Sequence, residues 1–251
     1  MDNNDLEISA SKDIRKLVEQ GYETDSAGYI STALDIFKKN IPQFILYTLI
    51  YLGASSLLSQ NETLQAISSI LLAPLGFGAF IVAQKIVKNQ DYTFKNFFDG
   101  YNRFLDVIIY YLIQMVVVIA IAIAILALPI ILFVILFGIS GFQNPSGITL
   151  IIIILIAIIV LLFAFSIGLL FLFAPNLLWF SNMRAIDALQ TSAKIIRKKF
   201  FNWVGFFFMI LGINLLGLLA FGIGLLVSIP VSMIATYVAF EYVVGTPNAI
   251  E

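Results

Sequence analysis

Glu241 is the one acidic side chain set well inside an apolar stretch of this sequence. It lies about one turn before the end of the last such stretch. Lipid and the negative end of a helix dipole both oppose a carboxylate there. Two readings follow: a proton or cation relay, or a snorkelling glutamate paired with a basic residue of a surface helix. A relay needs a second acid, a lysine or a histidine within the membrane, and the apolar stretches supply none. The paired glutamate is therefore the expectation. Gln114, Asn176 and Asn214 are the deepest amides. With Glu241 they could line a polar path, but such amides more often join helices through hydrogen bonds.

The chain contains no histidine and no cysteine. Disulfides, thiolate nucleophiles, His/Cys zinc sites and cysteine-held clusters are thereby excluded, together with the usual general base near neutral pH. Asp99, Asp106 and Asp187 are the acids placed for chemistry at a membrane interface, and they read more simply as capping and solvated charges. No nucleophile–base pair and no phosphate-cradling glycine motif is present. No catalytic residue, metal ligand or cofactor is expected. The net charge of −1 points to no nucleic-acid partner.

Composition gives these residues their setting. Of 251 residues, 61% are hydrophobic and 12% charged, and the mean hydropathy is +1.00. Soluble chains carry about twice that share of charge. An integral membrane protein follows. A helix needs about 20 apolar residues to cross the hydrocarbon core, and six spans are expected: 41–59, 64–87, 104–138, 147–181, 200–221 and 225–244. Residues 1–25 form a polar tail or short surface helix, with no basic run ahead of an apolar stretch to suggest a leader.

With six spans, all 14 basic residues fall on one side. They lie in the N-terminal tail or in the connections after spans two and four. On the other side Glu62 is the sole charge. The positive-inside rule then places both termini in the cytoplasm. The clusters Lys38 and Lys39, Lys85 and Lys88, Arg103, and Arg197, Lys198 and Lys199 could contact anionic lipid, or they could serve only to set topology. Trp179 and Trp203 fall near the same boundary, as aromatic-belt anchors.

Residues 107–183, 77 in all, carry no charge. Two helices there would each exceed the bilayer core, so we expect two long helices bent near Pro129 and Gly168, their tip projecting outward. That hairpin is the expected partner-facing element. Gly205, Gly212, Gly217, Gly222, Gly224, Ser228 and Ser232 give the last hairpin a small-residue face suited to close packing.

Three parallel units are legible, at about 26–90, 91–182 and 183–245. Each begins with an amphipathic segment expected to lie in the interface with its apolar face in lipid. The apolar stripes run through Ile30, Ala33, Leu34, Phe37 and Ile41, then Phe94, Phe97, Phe98, Tyr101 and Leu105, then Ile186, Leu189, Ala193, Ile196 and Phe200. Ser26 and Asn182 are expected N-caps, with Asp187 in an early turn. A transmembrane hairpin follows each segment. Its second helix carries an internal proline, Pro74, Pro175 or Pro230.

The decapeptide from Ser31 to Asn40, and the stretch from Ala174-Pro175 through Ala185, Ala188 and Ser192 to Phe201-Asn202-Trp203, resemble a known set of sequences. These are bacterial six-helix proteins that include the membrane domain fused to some glycerophosphoryl diester phosphodiesterases. The resemblance implies a six-helix α fold and no established activity, because the phosphodiesterase chemistry belongs to a soluble barrel domain. The expectation is a non-enzymatic structural, assembly or regulatory protein that works through lipid or a membrane-protein partner. The alternative is a small-molecule or lipid transporter with a central cavity. Where the four polar residues point separates the two.

Overall fold

A computed structural model describes residues 14–58, 71–138 and 146–246, and every element among them is helical. The first is α1 (Ile14–Gln20), followed by α2 (Ser26–Lys39) and α3 (Ile41–Leu58). A 3-10 turn, Pro74–Phe77, leads into α4 (Gly78–Val87), and a longer 3-10 segment, Phe94–Arg103, leads into α5 (Phe104–Phe137). Then come α6 (Gly147–Leu170), α7 (Ala174–Phe180), α8 (Ala185–Lys198), α9 (Phe200–Leu219) and α10 (Leu225–Val243). Residues 1–13, the connection containing Glu62, and most of the turn between α5 and α6 lie outside the described residues.

Four stretches are long and apolar enough to cross a membrane, running from Phe94 to Phe137, Gly147 to Phe180, Phe200 to Leu219 and Leu225 to Val243. The first contains α5, whose 34 residues make it about 51 Å long at 1.5 Å per residue. That is well beyond the ~30 Å hydrocarbon core. Pro129 sits inside α5 and does not interrupt it. The second long stretch does break, within one turn after Gly168. The chain turns at Phe171–Phe173, and Pro175 opens α7. Pro74 likewise opens its 3-10 turn, whereas Pro230 lies within α10. Only the third of the three prolines is thus internal to a helix. A proline lacks its N–H, a loss that costs nothing in the first turn of a new helix.

The core gathers around α10, which packs against α2, α3, α4 and α9. Its residues Val231, Ile234, Ala235, Tyr237, Val238, Ala239 and Phe240 are buried. Burial is concentrated toward the helix ends that adjoin the basic residues. In α5, Val107 and Tyr110 are buried near the start, while Leu112, Met115, Val116, Ile119 and Ile123 are exposed. The α5–α6 pair is bare over most of its length, as helices facing lipid would be.

The amphipathic segments correct an expectation. Of the expected α2 stripe, Ile30, Ala33 and Phe37 are buried with Tyr29 and Ile36 against α10 and α9, so they face protein and not lipid, while Leu34 and Ile41 are exposed. In α8, Ala185, Ala188, Leu189, Ser192, Ile195 and Ile196 are buried against α5, α6 and α7. The second segment is not an α-helix but ten residues of 3-10 helix with Phe97 and Gly100 buried, three apart on one eclipsed edge. Two close backbone approaches hold it. Gly100 lies against the Pro74 carbonyl, and Gly78 lies against the Phe97 carbonyl.

Helix caps also shift from expectation. Asp25, one residue before Ser26, caps α2 by accepting from the Gly28 N–H at 2.9 Å. Helix α8 begins after Arg184, and Asn182 stands outside it at a φ of 50°. Asp187 does fall in the first turn of α8. The described part of the N-terminal tail is docked: Leu17 of α1 is buried, and α1 contacts α8.

Candidate functional site

The four expected polar residues separate into four environments. Glu241 is only 7% exposed and its carboxylate is well supplied with donors. Oε2 accepts from the Tyr237 hydroxyl at 3.0 Å, while Oε1 accepts from the Thr246 hydroxyl at 3.1 Å and the Thr246 N–H at 3.3 Å. The helix geometry explains the first bond, since Tyr237 sits four residues earlier on the same face. Gly245, at a φ of 75°, turns the chain so that Thr246 folds back over the carboxylate. Lys88 Nζ donates to the Thr246 carbonyl at 3.4 Å, which brings an ammonium beside this unit. Burial draws Lys88 below the usual lysine value, and the Glu241 charge opposes that shift. The basic neighbour therefore comes from the end of α4 and not from an amphipathic helix. The arrangement ties the end of α10 to the end of α4.

Asn214 clamps the last hairpin. Its Nδ2 donates to the Ile210 carbonyl at 2.9 Å and to Ser232 Oγ at 2.8 Å, and its Oδ1 accepts from Ser228 Oγ at 3.0 Å. Below it, the backbones of Gly217 and Gly224 approach so closely that a Cβ on either would strike the other. Gly205 and Gly212, by contrast, meet nothing. The small-residue face is thus confined to the part of the hairpin nearest its turn. An Asn214→Leu variant is expected to lose about 0.6–1.7 kcal/mol, the range for such bonds in membranes. Thermal unfolding in detergent micelles checks this, with Gly205→Ala as a near-neutral comparison.

Gln114 lines a cavity of about 170 Å³ between α5 and α6, among Val118, Ile125, Val160, Phe163 and Gly168. Its Oε1 is buried with no hydrogen-bond partner among the described residues. Asn176 is fully buried in α7, and neither of its amide atoms has a partner there. No common cavity joins these residues among the pockets described.

The basic residues divide in the same way. Lys39, Arg197, Lys198 and Lys199 are exposed, and Lys85 and Lys88 are half-buried. Lys38 pairs with Asp35 at 3.3 Å, an exposed contact that contributes little. Arg103, like Lys88, joins two parts of the chain, and it does so with several bonds. Its Nε donates to Asp106 at 2.9 Å, and its Nη1 donates to Asn182 Oδ1 at 2.8 Å and to the carbonyls of Leu178 and Trp179 at 3.4 and 3.3 Å. The guanidinium stands 5.4 Å from the Trp179 ring centroid. It thereby caps the unsatisfied carbonyls at the end of α7.

Beside Arg103 opens a groove of about 470 Å³, lined by Arg103, Asp106, Ile109, Ile113, Leu178, Asn182, Met183, Arg184, Ile186 and Asp187. A second ion pair, Arg184 Nε to Asp187 at 2.8 Å, forms its other rim. The groove escapes a sequence reading because its two halves lie about 80 residues apart. The one legible hint is the repeated Arg-x-x-Asp spacing at 103–106 and 184–187.

Trp203 is not an interfacial anchor, since it is completely buried. Its Nε1 donates to the Tyr22 hydroxyl at 2.8 Å, and Tyr22 donates to the Ile195 carbonyl at 2.7 Å. Burial pushes the Tyr22 hydroxyl up to about 12, with the Trp203 bond acting the other way. Trp179 is half-buried beneath Arg103. Among the described residues no group of acids could hold a metal ion.

Three comparisons with known proteins bear on this chain: no protein-family model matches it, and neither a curated protein nor a solved structure matches significantly.

Proposed function

We propose that this protein is a non-enzymatic component of the bacterial cytoplasmic membrane with a structural, assembly or regulatory role. In this reading six spans leave both termini in the cytoplasm, with α3 and the segment through α4 completing the four long apolar stretches. Three parallel units build it, and the six-helix count agrees with the set that the sequence resembles. It acts through contact with lipid or with a membrane-protein partner at the α5–α6 hairpin.

The dispersal of the polar groups carries this reading. Asn214 is spent on Ser228, Ser232 and Ile210, and Glu241 on Tyr237 and Thr246. Gln114 faces an apolar cavity of its own. A transport path needs such groups to converge on one wet cavity. The excess length of α5 adds support, because an apolar tip beyond the hydrocarbon core needs something to cover it.

Purification in native-lipid nanodiscs is the direct test, with specific co-purification of a membrane protein as the expected result. Loss of that partner when Ile131, Ile135 and Leu136 near the tip of α5 are changed to serine would locate the contact. Saturable movement of a solute by purified protein in liposomes would overturn the proposal in favour of transport. Topology is tested separately, since the chain has no cysteine. A single cysteine at position 198 is expected to react from the cytoplasmic side, and one at position 60 from outside.

A further inference from the structure

We propose that the groove between Arg103–Asp106 and Arg184–Asp187 binds the headgroup of a bilayer phospholipid carrying both a phosphate and a primary amine. This rests on the membrane reading above and names the lipid class that it leaves open.

Charge is the first argument. Two guanidinium groups and two carboxylates line one groove, so its formal charge is zero. An anionic headgroup gains no net attraction there, whereas a phosphate–ammonium pair finds a partner for each end. Neither Asp106 nor Asp187 is consumed by its arginine. Each accepts one Nε bond and remains about half exposed, leaving oxygen lone pairs for an ammonium group. The Nη groups of Arg184 and the Nη2 of Arg103 make no hydrogen bond among the described residues. These groups match the oxygens of a phosphate in fork geometry.

Shape is the second argument. Ile109, Ile113, Met183 and Ile186 supply apolar walls, and Ile109 and Ile186 are themselves exposed. The walls continue along α5, whose outer face is apolar from Leu112 onward. A headgroup held at the rim would therefore lay its acyl chains along α5 and into the bilayer. A free phosphoamine would leave those walls uncovered. Arg103 is fixed in advance by Trp179, Asn182 and two carbonyls, so part of the site is already ordered.

The test is native mass spectrometry of the full-length protein, taken from nanodiscs containing equal phosphatidylethanolamine and phosphatidylglycerol. Wild type is expected to retain the ethanolamine lipid in preference. One charge near a membrane surface corresponds to about a fivefold change in binding. Arg184→Ala should lower ethanolamine-lipid retention about fivefold, and Asp106→Asn with Asp187→Asn should shift retention toward phosphatidylglycerol. Arg184 is 89% exposed, so its variant is expected to unfold at the wild-type temperature. Lys95→Ala, at an exposed cation outside the groove, should leave the preference intact.

Equal retention of the two lipids by wild type would overturn the proposal. So would a preference unchanged by the Arg184 or aspartate variants, or soluble phosphoethanolamine binding as tightly as the lipid. Solute flux in liposomes would remove the scaffold reading and leave this lipid result standing.

Discussion

Replacing Trp203 with alanine is expected to destabilise the folded protein by about 3–5 kcal/mol, the usual cost of emptying a large aromatic site in a close-packed core. Trp203 stacks on Tyr29 and meets Phe173 and Phe206 edge-on, at centroid distances of 6.3, 4.9 and 5.8 Å. These partners come from α2, the turn before α7, and α9, so a single cavity would loosen three elements together. The Nε1 bond would be lost as well, freeing Tyr22 and with it the docking of the N-terminal segment on α8. Trp203→Phe keeps most of the packing and drops the hydrogen bond, so a smaller loss of about 1–2 kcal/mol is expected. Tyr22→Phe should cost about 1 kcal/mol. Thermal unfolding in detergent orders the three variants. If Trp203→Ala matched wild type, the residue would be a lipid-facing anchor after all and the packing around α10 would be wrong.

The position of Trp203 shows where sequence reasoning stops. Proximity to a run of basic residues puts a tryptophan at the membrane boundary, and both anchors and core residues live there. Only the neighbours decide. The same ambiguity covers α2 and α8. An apolar stripe with a period of 3.6 has the same appearance whether it faces lipid or another helix. The decisive partner, α10, lies about 200 residues beyond α2. What is legible is local: the length of α5, a turn at 222–224, the acidic first turn of α8, and the helical segments themselves. The prolines show the limit from another side. Pro74, Pro175 and Pro230 look equivalent in the sequence, yet two open new helical segments and one stays inside a helix.

Of the candidate residues, Asn214 has partners within reach of a local reading, because Ser228 and Ser232 lie on the same hairpin. The donors to Glu241 are only partly local. Tyr237 is a local neighbour, whereas Thr246 folds back through the Gly245 turn and Lys88 arrives from another unit. Charge alone groups Arg103 with the other cations that could meet lipid. Its role in closing the end of α7 depends on residues about 75 positions away.

The second large effect is expected at Gly78 and Gly100. Phe94, Phe97, Phe98 and Tyr101 fit a helix of either 3.6 or 3.0 residues per turn, and what selects the tighter form is contact between backbones. A Cβ on Gly100 would drive into the Pro74 carbonyl, and one on Gly78 into the Phe97 carbonyl. Neither obstacle is a flexible side chain that could swing aside. Gly100→Ala and Gly78→Ala should therefore each cost about 2–4 kcal/mol, toward or above the upper end of overpacking penalties. Either change pushes the 3-10 segment away from the Pro74 turn, so the second change adds little once the first is made. The double variant should lose clearly less than the sum of the two single losses, a non-additivity of about 1 kcal/mol or more. Gly76→Ala is the internal control, because a Cβ there meets nothing within 4 Å. Unfolding temperatures for the four variants and the wild type in one detergent settle the matter. Full additivity would mean that the two glycines support separate contacts and that the 3-10 form has some other cause.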